Sequence, residues 1–204
     1  MKRVYLVRHG EAIGNVEGIF KDPQAELTQL GYEQAANLAT RCASLDFESI
    51  ISSPNKRAIQ TAEYIAKASG VAITTSNNFA ATKFASKMVG KSKNGPEADA
   101  YMVILQEMYR RDANERYEDA ENFNDLKTRF SAGFEELVAA PVDTILVVTH
   151  ESILKSLLVH LLLAGEQTIE QHVSTKKHMA KLGHDSVTEF RYVEDRWQLV
   201  SWNK

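Results

Sequence analysis

Val4-Tyr5-Leu6-Val7-Arg8-His9-Gly10-Glu11 is the stretch from which the fold can be read. Four apolar residues, two of them β-branched, run directly into an arginine, a histidine and a glycine. An unbroken apolar run of this kind suits a strand buried on both faces, as in a parallel sheet. Such a strand carries whatever follows it to the carboxyl edge of the sheet, where open α/β folds place their chemistry. Gly10 lets the backbone turn there. A cation and an imidazole therefore stand side by side at the end of a rigid element.

Downstream, the same alternation repeats. Residues 11–27 lack a helical or strand period and read as a loop, with Asn15 and Gly18 its notable residues. Thr28 is a helix N-cap, and Ala35, Leu38, Ala39, Cys42 and Leu45 make one apolar stripe. A short strand, Glu48 to Ile51, leads to Ser52-Ser53-Pro54, where Ser53 as N-cap and Pro54 at the first helical position predict a second helix closed by Gly70. Val71 to Thr75 reads as a third strand. The resulting βαβαβ order predicts an α/β three-layer sandwich, a mostly parallel central sheet with helices on both faces. Residues 76–121 break the rhythm and read as a small cap insertion in a single domain spanning 1–204, with a helix from about Pro96 to Arg111. Then follow an amphipathic helix from Phe123 to Val138, a buried strand Thr144 to Thr149 ending on His150, and a Leu-rich helix over 152–163. Two last strands are predicted at Ser186 to Tyr192 and Trp197 to Trp202.

Composition narrows the class. The chain has 204 residues, 44% hydrophobic and 25% charged, which fits a soluble globular protein able to bury a core unaided. A net charge of -3 argues against general affinity for nucleic acid or an anionic membrane, while permitting a local basic pocket. The single cysteine, Cys42, cannot form an internal disulfide and reads as a small buried residue on a helix. The amino terminus runs straight into strand-like sequence without a signal peptide. The longest apolar segment, Ile153 to Ala164, holds Lys155 and His160 and is too short for a bilayer. A cytoplasmic location is expected.

The chemistry sits at strand ends. Two apolar strands finish on His9 and His150, and Arg57 falls on the first turn of a helix after another strand. The topology brings Arg8, His9, Arg57 and His150 to one rim. Two guanidiniums match phosphate oxygens, and the helix opening after His150 aims its positive end at the same place. A neutral histidine there has a lone pair able to attack phosphorus. His172, His178 and His184 lack zinc-ligand spacing and read as surface or loop residues.

The order of these motifs resembles the histidine phosphatase superfamily, the phosphoglycerate-mutase-like proteins. The family's opening motif is matched by Leu6-Val7-Arg8-His9-Gly10-Glu11 with Asn15 at its spacing, and its first helix start by Glu26 to Gly31. Its second signature is matched by Ser52 to Ala62, and its third by Val147-Val148-Thr149-His150. The resemblance implies a phosphohistidine on His9, with Arg8, Arg57 and His150 holding the phosphoryl oxygens. It places Asn15 and Gly10 at the substrate and implies no metal and no cofactor. The substrate would be a phosphorylated small molecule or a phosphoprotein, with oligomeric state left open.

One departure matters. The family carries a glutamate a few residues after the third strand, and Ala81 stands at that position here. No carboxylate occurs from Val71 to Gly95. Glu151, where the family more often has glycine, is a candidate replacement acid, with Glu11 a weaker one; the alternative use of Glu151 is to cap its helix. Lys83, Lys87, Lys91 and Lys93 form either a solvated face or a cap element, Lys83 foremost, recognising extra negative charge. The leading expectation is a metal-independent phosphomonoesterase, a slow one if Glu151 only caps its helix. The alternatives are a non-catalytic phospho-ligand-binding regulator, a phosphoglycerate mutase and, least favoured, a metallohydrolase.

Overall fold

The computed structural model describes residues 1–204. Its elements, in order, are β1 (Lys2–Arg8), α1 (Ile13–Val16), α2 (Gln29–Cys42), β2 (Ser49–Ser52), α3 (Lys56–Ser69), β3 (Ile73–Thr75), α4 (Pro96–Arg111), α5 (Phe123–Ala139), β4 (Thr144–Thr149), α6 (Glu151–Leu162), α7 (Ile169–Lys177), β5 (Val187–Val193) and β6 (Arg196–Ser201). The six strands form one sheet in the order β3-β2-β4-β1-β5-β6. The first four in that order are mutually parallel, while β5 and β6 run antiparallel to their neighbours.

The period of two along the central strands builds the layers. On β1 and β4, Tyr5, Val7, Leu146 and Val148 face α2 and α3, meeting Leu38, Ala39, Ala58, Ala62 and Ile65. Val4, Leu6, Ile145 and Val147 face the other way, onto Phe130, Phe134, Leu137, Ile153 and Leu157 of α5 and α6. Strands apolar on both faces need a helical layer on each side, so the three-layer arrangement follows from this alternation. Cys42 is fully buried in the first cluster.

Residues 76–121 add a third, smaller cluster in which Phe20, Ala85, Met88, Ala98, Tyr101 and Leu105 pack together. This gives the inserted segment a core of its own against the 11–27 loop. The loop contains the short helix α1, whose Asn15 side chain accepts from the Ala12 N–H at 3.1 Å. No helix is long and apolar enough to cross a membrane.

Two local expectations are corrected. Helix α3 starts at Lys56 with Asn55 at its N-cap, not at Pro54, because the Ser53 hydroxyl is engaged elsewhere, with His150 and Asn55. Helix α7 went unforeseen although Thr168 and Gln171 form a capping box at its start.

Candidate active site

Register brings the histidines together. Parallel β1 and β4 pair Arg8 with Thr149, and the His9 N–H donates to the Thr149 carbonyl at 3.0 Å. The next residues, His9 and His150, therefore emerge side by side, with ring centroids 4.9 Å apart. On the far side of β4, the Ser53 N–H bonds the Val148 carbonyl at 2.9 Å. From there the Ser53 hydroxyl reaches His150 Nε2 at 2.8 Å.

Hydrogen bonding selects the tautomer of His9. Its Nδ1–H donates to the Gly10 carbonyl at 2.5 Å, which leaves Nε2 as an acceptor, and Arg57 Nε–H points at that atom from 3.3 Å. Arg57 also reaches His150 Nδ1 at 3.4 Å and the Asp22 carbonyl at 3.3 Å. With Nδ1 accepting, His150 donates from Nε2 to Ser53, which passes its own proton to Asn55 Oδ1 at 2.9 Å. Burial, the facing His150 and the charges of Arg57 and Lys21 hold the His9 imidazole well below its usual pKa. Burial, Arg57 and Lys21 do the same to His150. Both rings are neutral across the physiological range, the form a nitrogen nucleophile requires.

Arg8 is 4% exposed, donates to the Leu182 carbonyl at 2.5 Å and pairs with Glu151 at 3.1 Å. Its Nε has no partner. Glu151 in turn pairs with Lys155 at 2.9 Å. Burial raises the Glu151 pKa, but the Lys155 hydrogen bond and the charges of Arg8 and Lys155 outweigh it and hold the carboxyl below its usual value. Glu151 is thus an ion-paired carboxylate with no proton to give at neutral pH.

These side chains open onto a hollow of about 540 Å³, the size of a small-molecule site. Arg8, His9, Asn15, Arg57, His150 and Glu151 all line it, as expected, together with Ala81. Two expected substrate residues do not. Gly10 is packed against helix α2, where a Cβ would meet the Gly31 carbonyl oxygen at 2.3 Å, so its small size serves this close approach. Lys83 is exposed and pairs with Asp119 at 3.3 Å. Lys93 does reach the hollow, joined by Lys21, Lys155, Lys176 and Lys177. His172 is neither a surface nor a loop residue, since it is buried on α7, whereas His184 lies half-buried in a turn, as read. His172 lines the hollow at 5% exposure, and His184 Nδ1–H donates to the His9 carbonyl at 2.7 Å, bracing the backbone behind the His9 ring.

The loop bearing Ala81 is firmly held. Its N–H donates to Asn55 Oδ1 at 3.0 Å, and Arg129 donates to the carbonyls of Asn78 and Ala80 at 3.0 and 2.8 Å.

A buried, cation-rich cradle around a neutral imidazole suits an anionic group. The profile of the histidine phosphatase superfamily, branch 1, matches residues 4–204. The chain belongs to that superfamily. Among other members, a probable phosphoglycerate mutase GpmB of Salmonella arizonae is 26% identical over 203 residues, covering 99% of this chain and 90% of that protein. A 2,3-bisphosphoglycerate-dependent phosphoglycerate mutase of Thermoplasma acidophilum is 43% identical over 68 residues, only 32% of this chain and 34% of that protein. Among solved structures, mycobacterial glucosyl-3-phosphoglycerate phosphatase with VO3 superposes with a TM-score of 0.78 at 23% identity, covering 100% of this chain and 99% of that one. The alpha-ribazole phosphatase of Shigella flexneri superposes at 0.79 with 20% identity, over 99% and 96%. This superfamily fold is therefore shared along the full chain, with phosphatases among its structural neighbours.

Proposed function

We propose that this histidine phosphatase hydrolyses phosphate monoesters through a phosphohistidine on His9. The observation that carries the reading is the His9 tautomer: Nδ1–H is tied to the Gly10 carbonyl and the Nε2 lone pair faces the cradle. In the first step Nε2 attacks phosphorus as the ester P–O bond breaks and the leaving oxygen takes a proton. Arg57 moves from Nε2 onto the phosphoryl oxygens as the substrate enters. Arg8, Arg57, His150 and Asn15 hold those oxygens, and their fixed positive charge supplies the transition-state stabilisation that phosphoryl transfer needs, without calling on a metal. In the second step water attacks phosphorus, the P–N bond breaks, the proton that water sheds returns to the amine that gave one in the first step, and inorganic phosphate leaves with His9 neutral again.

The leaving-group proton is assigned to Lys21 rather than to Glu151. Lys21 lines the hollow close enough to depress both histidines. Burial, and then the charges of Arg57, Lys93 and Arg8, bring its own pKa down to about 7. An incoming phosphate dianion raises that value and keeps the ammonium protonated until the ester bond breaks.

The test is to trap labelled phosphate on the protein during turnover. An acid-labile, base-stable adduct that disappears in His9→Ala together with turnover supports the reading; undiminished turnover in that variant overturns it. The bare Ala81 position favours a second reading, a phospho-ligand binder, which forms no adduct at all. A mutase forms the adduct but returns the label to a phosphoglycerate instead of releasing it.

A further inference from the structure

The Nε2 lone pair of His9 depends on a single carbonyl. It stays bare only while Nδ1–H has the Gly10 carbonyl to donate to. A neutral histidine free in water carries its proton mostly on Nε2, so the tautomer at His9 is imposed by its surroundings. Gly10 by itself holds that carbonyl poorly, because glycine leaves the backbone on either side free to rotate. Packing allows nothing larger there, since a Cβ would collide with the Gly31 carbonyl oxygen. The Gly10 carbonyl must therefore be aimed from outside its own residue.

Two peptide groups meet at Gly10, and side chains from other elements pin both. In the first, between His9 and Gly10, the carbonyl accepts from His184 Nδ1–H at 2.7 Å and the N–H donates to Thr61 Oγ1 at 3.1 Å. In the second, between Gly10 and Glu11, the N–H donates to Gln34 Oε1 at 2.7 Å. A trans peptide is planar, with its N–H and C=O pointing opposite ways. Gln34 thus aims the Gly10 carbonyl at the His9 ring, while His184 and Thr61 fix the plane that precedes it.

The pins are themselves held. Gln34 stands on α2 and Thr61 on α3, where the Thr61 hydroxyl donates to the Arg57 carbonyl at 2.8 Å. The turn carrying His184 is tied by Arg8, which donates to the Leu182 carbonyl at 2.5 Å, and by Asn203 Oδ1, which accepts from the Gly183 N–H at 3.1 Å. Burial alone requires that backbone polar groups find partners. It does not require that the partners come from α2, α3 and the turn before β5 and flank the one carbonyl that decides the His9 tautomer.

We propose that Gln34 and His184 are positioning residues that hold His9 in the Nδ1–H tautomer by fixing the two peptide groups around Gly10. Neither side chain lines the hollow, so each acts through the backbone and not on a substrate. The inference rests on the phosphohistidine reading for its consequence, since the tautomer governs turnover only if Nε2 is the attacking atom.

Nitrogen-15 NMR of histidine-labelled protein near neutral pH tests it, because bare and protonated ring nitrogens resonate far apart. The signals missing in His9→Ala identify His9. In wild type both His9 and His184 are expected as Nδ1–H tautomers. His184→Leu and Gln34→Met each remove one pin. In each, the His9 signals should move toward the Nε2–H tautomer, and kcat for an aryl phosphate should fall about fivefold with KM little changed, the weight of one net hydrogen bond. Asparagine carries an N–H at the position of histidine Nδ1, and glutamate an oxygen at the position of Gln34 Oε1. His184→Asn and Gln34→Glu should therefore keep the wild-type spectrum and rate. Unmoved His9 signals in one variant strike that residue from the clamp, and in both they overturn the inference even if turnover drops, because a merely structural loss slows the enzyme without shifting the tautomer. An Nε2–H tautomer at His9 or His184 in wild type overturns it with no variant needed. The phosphatase reading is judged apart from these spectra, by the phosphate adduct on His9.

Discussion

Arg57 Nε–H lies 3.3 Å from His9 Nε2, so the guanidinium rests on the lone pair that phosphorus meets in the mechanism we propose. The same side chain spans to His150 Nδ1 at 3.4 Å. In that mechanism Arg57 shields the nucleophile when the site is empty and grips phosphate when it is full, two roles that a point charge does not fill. Arg57→Lys is expected to lower kcat/KM by about 10²-fold or more, because lysine offers neither the planar fork nor two simultaneous contacts. Steady-state kinetics with an aryl phosphate check this; a loss below threefold would show that positive charge alone suffices.

Under the proposed mechanism Glu151 acts through Arg8. Its carboxylate is already ionised by its pairing with Arg8 and Lys155. Glu151→Gln should therefore slow aryl and alkyl phosphates by the same factor, as Arg8 loses its anchor. A loss confined to alkyl esters, whose leaving oxygens need a proton, would instead make Glu151 the acid.

The loop bearing Ala81, where the resemblance leads one to expect a carboxylate, is pinned by Asn55 and Arg129. Ala81→Glu is expected to raise turnover of alkyl phosphates by about 10²-fold, within the usual range for general-acid assistance, with little gain for aryl phosphates. Measuring both leaving-group classes side by side distinguishes restored acid catalysis from a change in binding.

Lys21 makes the pH profile informative. Its ammonium is depressed to about 7, so it is protonated below that pH and neutral above it. The kcat/KM of wild type should fall as pH rises through about 7, since that parameter reports the free enzyme. In Lys21→Met the descending limb near neutrality should vanish, leaving a lower and flatter profile. If the limb persists there, another group is responsible.

Stability should respond to acid. Burial is the leading cause that holds His9, His150, His160, His172 and His184 below the ordinary value of 6.5, His172 at about 3. The unfolded chain takes up protons at the ordinary value while the folded chain resists, so stability is full above about pH 6.5 and declines as pH falls below it. Each fully buried histidine contributes at most about 1.4 kcal/mol per pH unit to that decline. Urea unfolding at pH 7.5 and 5.5 checks this, and His172→Gln should flatten the slope.

Much of this protein is written in contiguous sequence. Apolar strands ending on Arg8-His9 and on His150 specify both the layers and the rim, because alternation along a strand is a local property and parallel neighbours share a carboxyl edge. The absence of a carboxylate at Ala81 was legible for the same reason. Helix α7 was not, since its apolar stripe is short, and its capping box at Thr168 was the signal available. Which lysines face the hollow was also hidden. Lys83 and Lys93 look alike in sequence, yet Lys83 turns to Asp119 and Lys93 to the cavity. A long charged side chain takes its direction from what packs around its stem, and for Lys21, Lys93 and Lys176 those neighbours come from segments far apart in the chain.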